Sequence, residues 1–460
     1  MGRRLSKKSA NAASLAGALL GVATFAVYMV GSNRSFGYDA AATFANFIAT
    51  PSLWDAFAVR SVIPTIPVTQ VATNDHVLVS LVSHLIFSVT GSRSEVVYRI
   101  LPAVAAAATV GLTTGLLVRR FGLMAGICAG VFVATDPLFV DNSRDLRGYS
   151  LAALGAVAGT VLLEVFTSPL VGEVGARERA GRGGWGLAYA LVMGLAIAAQ
   201  LFAGVVLVIH LVWIAVTRPR SELVRMLPAW VAAGLVGAAA NAGIYFLELT
   251  RHGLPPPLFN PTFPRDLVLF LVGAPVLLPV GLWLATALLG VWVERRARLL
   301  WVTAGVVAAV VLVLWLVIQP AFLYPRFFVF LVPGIAYLMA AAISRWWVLA
   351  PVVLAGAVAA AVGQLTDYIR DPLALPQAAA VVEQIHATGG RPCVIHSDEQ
   401  VLAAYTTDFT VVTRADQLPG CDAVVVVSWG VDLGLRDEAA RQFPRLRTLE
   451  AYYPAVVLER

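Results

Sequence analysis

The sequence predicts a mainly α-helical, polytopic membrane protein that carries a small α/β domain at its C-terminal end. Three observations lead there. Of the 460 residues, 59% are hydrophobic and only 13% are charged, giving a mean hydropathy of +0.79, far from the composition of soluble domains. Apolar runs long enough to cross a bilayer, which takes about 20 residues, alternate with short basic clusters. From residue 366 onward the apolar runs stop, and charged residues mix with short strand-like stretches. The expected division is therefore a membrane domain over 1–365 and an α/β domain over 366–460.

The net charge of +6 is spread over "GRRLSKK" at 2–8, "RR" at 119–120, "GARERAGRGG" at 175–184, "TRPRSELVR" at 217–225 and "ERRARLL" at 294–300. Basic residues in short loops between apolar runs are topology signals that face the cytoplasm. They form no single patch, so nucleic acid is not an expected partner. The first apolar stretch follows a basic start, as a signal peptide does, and "MGRRLS" fits a loose myristoylation pattern. No small-residue cleavage site follows it and further spans do, so it reads as an uncleaved first helix with a cytoplasmic N-terminus.

The first span is expected near 13–32, followed by a long outer loop to about 97. Within that loop, Asp39, Thr43, Asn46 and Thr50 share one helical face, and His76, Ser80, His84 and Ser88 recur every four residues among apolar ones. Both stretches suit helices lying in the membrane interface. A short span over 76–88 is the competing reading, but it would place Arg119, Arg120 and the acids at 136 and 141 on the wrong sides.

Spans then follow near 98–118, 121–140, 147–166, 185–201, 202–217, 227–249, 267–293, 299–318, 327–343 and 346–365, about eleven in all. This register gathers the acids, prolines and aromatics of 136–149, 251–266 and 318–328 on the face that carries Asp39. In the last segment, strands are expected at 393–397, 409–413, 423–429 and 455–459, with helices near 376–388 and 435–447. These strands lack a Gly-rich phosphate loop, so no nucleotide site is expected. Cys393 and Cys421 each border a strand in a compartment that permits disulfides, and their pairing is expected. Cys128 falls within a span as a packing residue. No His, Cys or carboxylate spacing marks a metal site.

Ionisable groups at a membrane boundary are solvated, paired or functional. Asp39 fits either a base that takes a proton from an acceptor hydroxyl or a first-turn acid favoured by the helix dipole. Asn74, Asp75 and His76 head the second interfacial helix as caps or as sugar contacts. Arg99 precedes Pro102 at a span entrance, where snorkelling competes with phosphate binding. "TDPLFVDNSRDLRGYS" at 135–150 is unusually charged for a hairpin between spans. Its Arg144 and Arg147 lie three apart, as a pair that can grip phosphate, with Asp145 to balance one of them. Tyr324 and Arg326 mark one more span entrance.

Four stretches, "YDAAATFANF", "TNDHVLVSLVSHLIFSVTGSRSEVVYRILPAV", "ATDPLFVDNSRDLRGYSL" and "YPRFFVFLVPGIAYLMAAAI", resemble in order the GT-C class of multi-spanning glycosyltransferases that use polyprenyl-phosphate sugars. The likeness is greatest to the branch of the dolichyl-phosphate-mannose-protein mannosyltransferases and the rhizobial lipopolysaccharide transferases. It covers the first 150 residues well and the middle of the chain poorly. The family's "DE" pair is reduced to Asp39 followed by Ala40; its "HPP" becomes "NDHVL", keeping His76; and its "RLPS" becomes Arg99 to Pro102. "SRxxRxY" is intact as Ser143, Arg144, Arg147 and Tyr149.

The resemblance implies a GT-C-like fold and inverting transfer of a sugar from a polyprenyl-phosphate donor to a hydroxyl acceptor at the outer face. Asp39 would be the base and Asp136 or Asp141 the second acid. Arg147, Arg326, Arg99, Arg144, Tyr149 and Tyr324 would hold the donor phosphate, and His76, Asn74 and Asp75 the sugar or acceptor. Mannose is the first choice of sugar, with arabinofuranose, glucose or galactose as alternatives. The acceptor is a lipid, a glycan or a protein. No cofactor is required, and a divalent metal is left open. The expected location is the cell membrane, with the α/β domain extracytoplasmic. A flippase or transporter of lipid-linked glycans would favour repeated bundles with broken helices at mid-depth, whereas here the polar groups gather at one face. An envelope scaffold protein would not need Asp39.

Overall fold

The computed structural model describes residues 7–57, 75–167, 177–243, 257–275, 277–320, 323–369, 374–395, 399–426, 433–443, 445–448 and 456–459. Asn74 lies outside them. Helix α1 spans Lys7–Met29 and is followed by the short α2, Tyr38–Thr43, which continues through a π-helical turn, Phe44–Ile48. Next come α3 (Val77–Thr90), α4 (Glu95–Phe121) and the bent pair α5 (Leu123–Thr135) and α6 (Pro137–Ser143), which meet at 57°. Asp136 causes that bend: its backbone is extended, its carboxylate accepts the Phe139 N–H at 3.0 Å, and Pro137 opens α6 with no N–H to satisfy.

The chain continues through α7 (Tyr149–Thr167), α8 (Arg177–Ala199), α9 (Gly204–Thr217) and α10 (Arg220–Asn241). Then follow α11 (Phe263–Phe270), α12 (Leu277–Val293), α13 (Arg298–Leu312), α14 (Val332–Arg345) and α15 (Leu349–Ile369). A 3-10 stretch, Pro325–Leu331, leads into α14. Among the described residues the apolar runs read as spans are mainly helical; residues 244–249 of the span expected over 227–249 lie outside them. Among the described residues five helices are long and apolar enough to cross a membrane, six if the bent pair counts as one, and other runs form shorter apolar helices.

One expected span is corrected. The run 267–293 is broken, because the chain turns at 271–275, where Gly273 takes φ +105°, and α11 is a separate short helix. Helices pack by close backbone approach where small residues allow it. Gly17 and Gly21 of α1 face Gly111 of α4, and a Cβ on Gly17 would stand 2.5 Å from the Gly111 carbonyl oxygen. Both helices carry the four-residue glycine spacing that permits such crossings in lipid.

The last segment is a five-stranded mixed sheet in the order β2-β1-β3-β5-β4, with β1 Pro392–Ile395, β2 Thr410–Val412, β3 Ala423–Val426, β4 Arg445–Thr448 and β5 Val456–Glu459. β1 runs parallel to β2 and β3, while β5 runs antiparallel to β3 and β4. Helices α16 (Ala374–Ala387), α17 (Glu399–Ala403) and α18 (Leu433–Gln442) accompany it. The helix expected over 435–447 closes at Gln442, as a following Pro444 requires, and β4 is a strand that the helical reading missed. Cys393 and Cys421 are joined in a disulfide. One buried cluster unites this domain with the start of the chain: Phe36, Ala40, Ala41, Phe44 and Ile48 pack with Leu375, Ala378, Val382, Leu402 and Ala404.

Candidate active site

Asp39 lies in the first turn of α2, where a carboxylate is favoured by the helix dipole. Its Oδ2 is 3.0 Å from Arg147 Nη2 and 2.8 Å from Arg326 Nη2. Three separate elements thus bring one acid and two guanidiniums together: α2, the turn before α7, and the 3-10 approach to α14. Arg147 is 2% exposed, whereas Asp39 and Arg326 keep 21% and 30%, so the cluster opens on the Asp39 and Arg326 side. Burial alone would raise the Asp39 carboxyl, but Arg147 and Arg326 outweigh it and hold the group below the usual carboxylate range.

Arg326 lies over the Tyr324 ring at 4.6 Å, a cation–π contact that orients its planar head. Asp145 approaches Arg147 Nε at 3.9 Å and is itself held by the Leu146 N–H at 2.9 Å. The cluster therefore includes a second acid, and the arginine that Asp145 approaches is Arg147.

His76 Nδ1 bonds the Ala199 carbonyl at 2.8 Å. A carbonyl only accepts, so Nδ1 carries the proton and Nε2 is left as an acceptor. The ring packs edge-on against Tyr149, 4.9 Å between centroids, and Tyr149 stacks on Phe327 at 6.5 Å. Burial, followed by the Arg147 charge, pushes His76 down to about 3, so the ring is neutral at physiological pH. Its neighbour Asp75 is pushed up to about 7 by burial, against hydrogen bonds from the Ser80 hydroxyl and the His76 backbone N–H. Asp75 Oδ2 is buried with no hydrogen-bond partner among the described residues.

Gly148 is required where α7 meets the end of α8. A Cβ there would stand 1.9 Å from the Ala199 carbonyl oxygen and 3.1 Å from His76 Nδ1. "Arg-Gly-Tyr" thus puts a cation and an aromatic ring on either side of the one residue small enough for that contact.

The other expected site residues go elsewhere. Arg99 donates to the carbonyls of Ser32, Arg34 and Ser35 and sits 5.7 Å above the Phe36 ring. Arg144 donates to the carbonyls of Val27, Tyr28 and Val30, the acceptors that the end of α1 leaves open. These two guanidiniums fix the exit of α1 rather than joining the Asp39 cluster. Asp136 is a fully buried cap, and Asp141 is exposed. Along the predicted polar face of α3, Ser80 bonds Asp75 and His84 bonds the Ile48 carbonyl at 2.9 Å, so that face is turned inward. Among the described residues no group of three or more His, Cys, Asp or Glu side chains could hold a metal ion.

The sequence matches no protein-family model and no curated protein. Its fold is similar to those of solved structures, among them the three that follow. ArnT from Cupriavidus metallidurans in the apo state aligns with a TM-score of 0.62 at 13% identity, over 95% of this chain and 97% of that one. The same protein bound to undecaprenyl phosphate gives 0.57 at 14% identity, over 95% and 97%. The Archaeoglobus fulgidus oligosaccharyltransferase, in complex with zinc and sulfate, gives 0.54 at 13% identity, over 93% and 69%. The likeness is one of fold, and it extends over nearly the whole of this chain, the helical part and the C-terminal α/β segment together.

Proposed function

We propose that the protein is an inverting membrane glycosyltransferase that moves a sugar from a polyprenyl-phosphate donor to a hydroxyl acceptor at the outer membrane face. The observation that carries this reading is the single carboxylate held between two guanidiniums at the open edge of the site. A phosphate that binds Arg147 and Arg326 draws their charge from Asp39, and the carboxylate then gains proton affinity. The donor thereby readies the base that uses it.

In the reaction, the acceptor oxygen attacks the anomeric carbon and gives its proton to Asp39, and the bond from that carbon to the phosphate oxygen breaks. Polyprenyl phosphate leaves with the bonding electrons. A phosphate leaving group needs no general acid, but it does need cations where negative charge develops; Arg147 and Arg326 supply them, with Asp145 balancing the pair. The neutral His76, with Nε2 free of the Ala199 contact, serves as acceptor for a sugar or acceptor hydroxyl. Tyr149 and Tyr324 hold the histidine and the Arg326 head in place. A lipid donor also fits a site at the end of apolar helices, because its chain stays in the bilayer. The structural likeness to ArnT bound to undecaprenyl phosphate supports a polyprenyl-linked donor. Mannose is the first sugar to try.

The test incubates purified protein with polyprenyl-phosphate mannose, arabinofuranose, glucose and galactose, together with membrane lipid extract as acceptor source, and identifies products by mass spectrometry. Transfer from one donor, lost in Asp39→Asn by a factor of about 10² or more, is expected. Donor movement across liposomes with no product would instead establish a transporter.

A further inference from the structure

The small α/β domain has no part in the chemistry just described, yet it touches the segment that presents Asp39. The Tyr405 hydroxyl accepts the backbone N–H of Phe36 at 2.8 Å and donates to the Glu95 carboxylate at 2.7 Å. Its ring packs 6.0 Å from that of Phe36, which in turn stacks on Phe44 at 5.3 Å. The Leu375 backbone N–H donates to Ser35 Oγ at 3.2 Å, and Arg93 donates to the Ala404 carbonyl at 2.9 Å. Behind α2, the apolar faces of α16 and α17 share its buried cluster.

Between α1 and α2 the chain leaves hydrogen-bonded turns at 30–33 and has no regular structure over 35–37. Arg99 takes the carbonyls of Ser32, Arg34 and Ser35, and Tyr405 and Ser35 serve the N–H side and the domain contact. Asp39 stands three residues beyond Phe36, so the direction of its carboxylate follows from where this segment is held.

We propose that Tyr405 is a positioning residue for Asp39 and that the α/β domain is the fixed back wall of the catalytic helix, with Glu95 orienting the tyrosine. The inference rests on the reading of Asp39 as the base. A misplacement of about 1 Å at a reacting group can cost a factor of roughly 10², and one hydroxyl that serves both Phe36 and Glu95 is a means of preventing it. The domain then contributes to turnover without contacting donor or acceptor.

The experiment compares full-length wild type, Tyr405→Phe, Glu95→Gln, Glu95→Ala and the surface control Asp416→Asn. For each it reads kcat and donor KM with whichever polyprenyl-phosphate sugar is turned over, and hydrogen exchange of peptides within 32–48. Tyr405→Phe keeps the ring and is expected to lower kcat about tenfold or more with donor KM unchanged, and to speed exchange in 32–48. Glu95→Gln keeps an oxygen for Tyr405 and should retain most turnover, whereas Glu95→Ala should match Tyr405→Phe; Asp416→Asn should match wild type. Unchanged kcat per folded molecule in Tyr405→Phe, or a loss confined to donor KM, overturns the proposal. If wild type turns over no donor, the reading of the site as a transferase fails by itself. The exchange measurement then decides alone, and unchanged exchange in 32–48 overturns the positioning role.

Discussion

Asp75 and His76 are neighbours in sequence whose titrations are displaced in opposite directions by the same cause, removal of a charge from water. Their effects on stability also oppose each other. His76, held down to about 3, is neutral in the fold while the unfolded chain binds a proton below about 6.5, so stability is lost as pH falls through that window. Asp75, raised to about 7, keeps its proton in the fold while the unfolded chain has released it above about 3.9, so stability is lost as pH rises towards 7. Between pH 4 and 6.5 the two slopes cancel. Asp75→Asn should expose the histidine term, so that the melting temperature falls on acidification by the equivalent of about 1 kcal/mol per pH unit, while wild type stays nearly flat. A flat profile in the variant would remove this account of the pair. At this scale the sequence was legible where a side chain serves a charge-bearing motif, as Asp39, Arg147 and Arg326 do. It was not legible where a side chain serves the backbone. Nothing in the motif "SRDLR" says that Arg144 will meet the open carbonyls at the end of α1, because that depends on which helix end lies nearby.

At the level of elements, the junction of α7 with the end of α8 sets the site. The Ala199 carbonyl receives His76 and touches the space beside Gly148, so one contact fixes both the histidine and the arginine before α7. Gly148→Ala forces these backbones apart. Overpacking ordinarily costs about 1–3 kcal/mol, and a loss at or above that range, with turnover reduced alongside it, is expected from thermal melting and product assay; a variant as stable as wild type would show that the junction yields easily. Apolar periodicity revealed the helices, because each run must bury or expose a consistent face in lipid. It hid the break at 271–275 and the strand β4. Both depend on a local backbone choice, a positive φ at Gly273 and a short pairing with β5, that leaves hydropathy almost unchanged.

For the molecule as a whole, the basic clusters predict which end faces the cytoplasm, and cysteine chemistry offers a direct check. The native thiols give little background, since Cys128 is buried and Cys393 is bonded to Cys421. A cysteine at Asp416, an exposed position of the α/β domain, should react with a membrane-impermeant maleimide on intact cells. One at Arg296, between α12 and α13, should react only after permeabilisation. The reverse pattern would invert the topology and move the site to the cytoplasmic face. The change in composition at 366 lies close to the end of α15 at Ile369, but the packing of the last segment against the start of the chain was not legible, because their shared cluster is assembled from residues more than three hundred positions apart. That distance has a consequence in time. Phe36 and Tyr405 are separated by 369 residues, so during synthesis the segment that carries Asp39 leaves the ribosome well before the α/β residues that pack on it. A chain that stops before Tyr405 can insert its helices and pair Asp39 with Arg147 and Arg326, yet it lacks the contact at Phe36, so full turnover is expected only after residue 405 has been made.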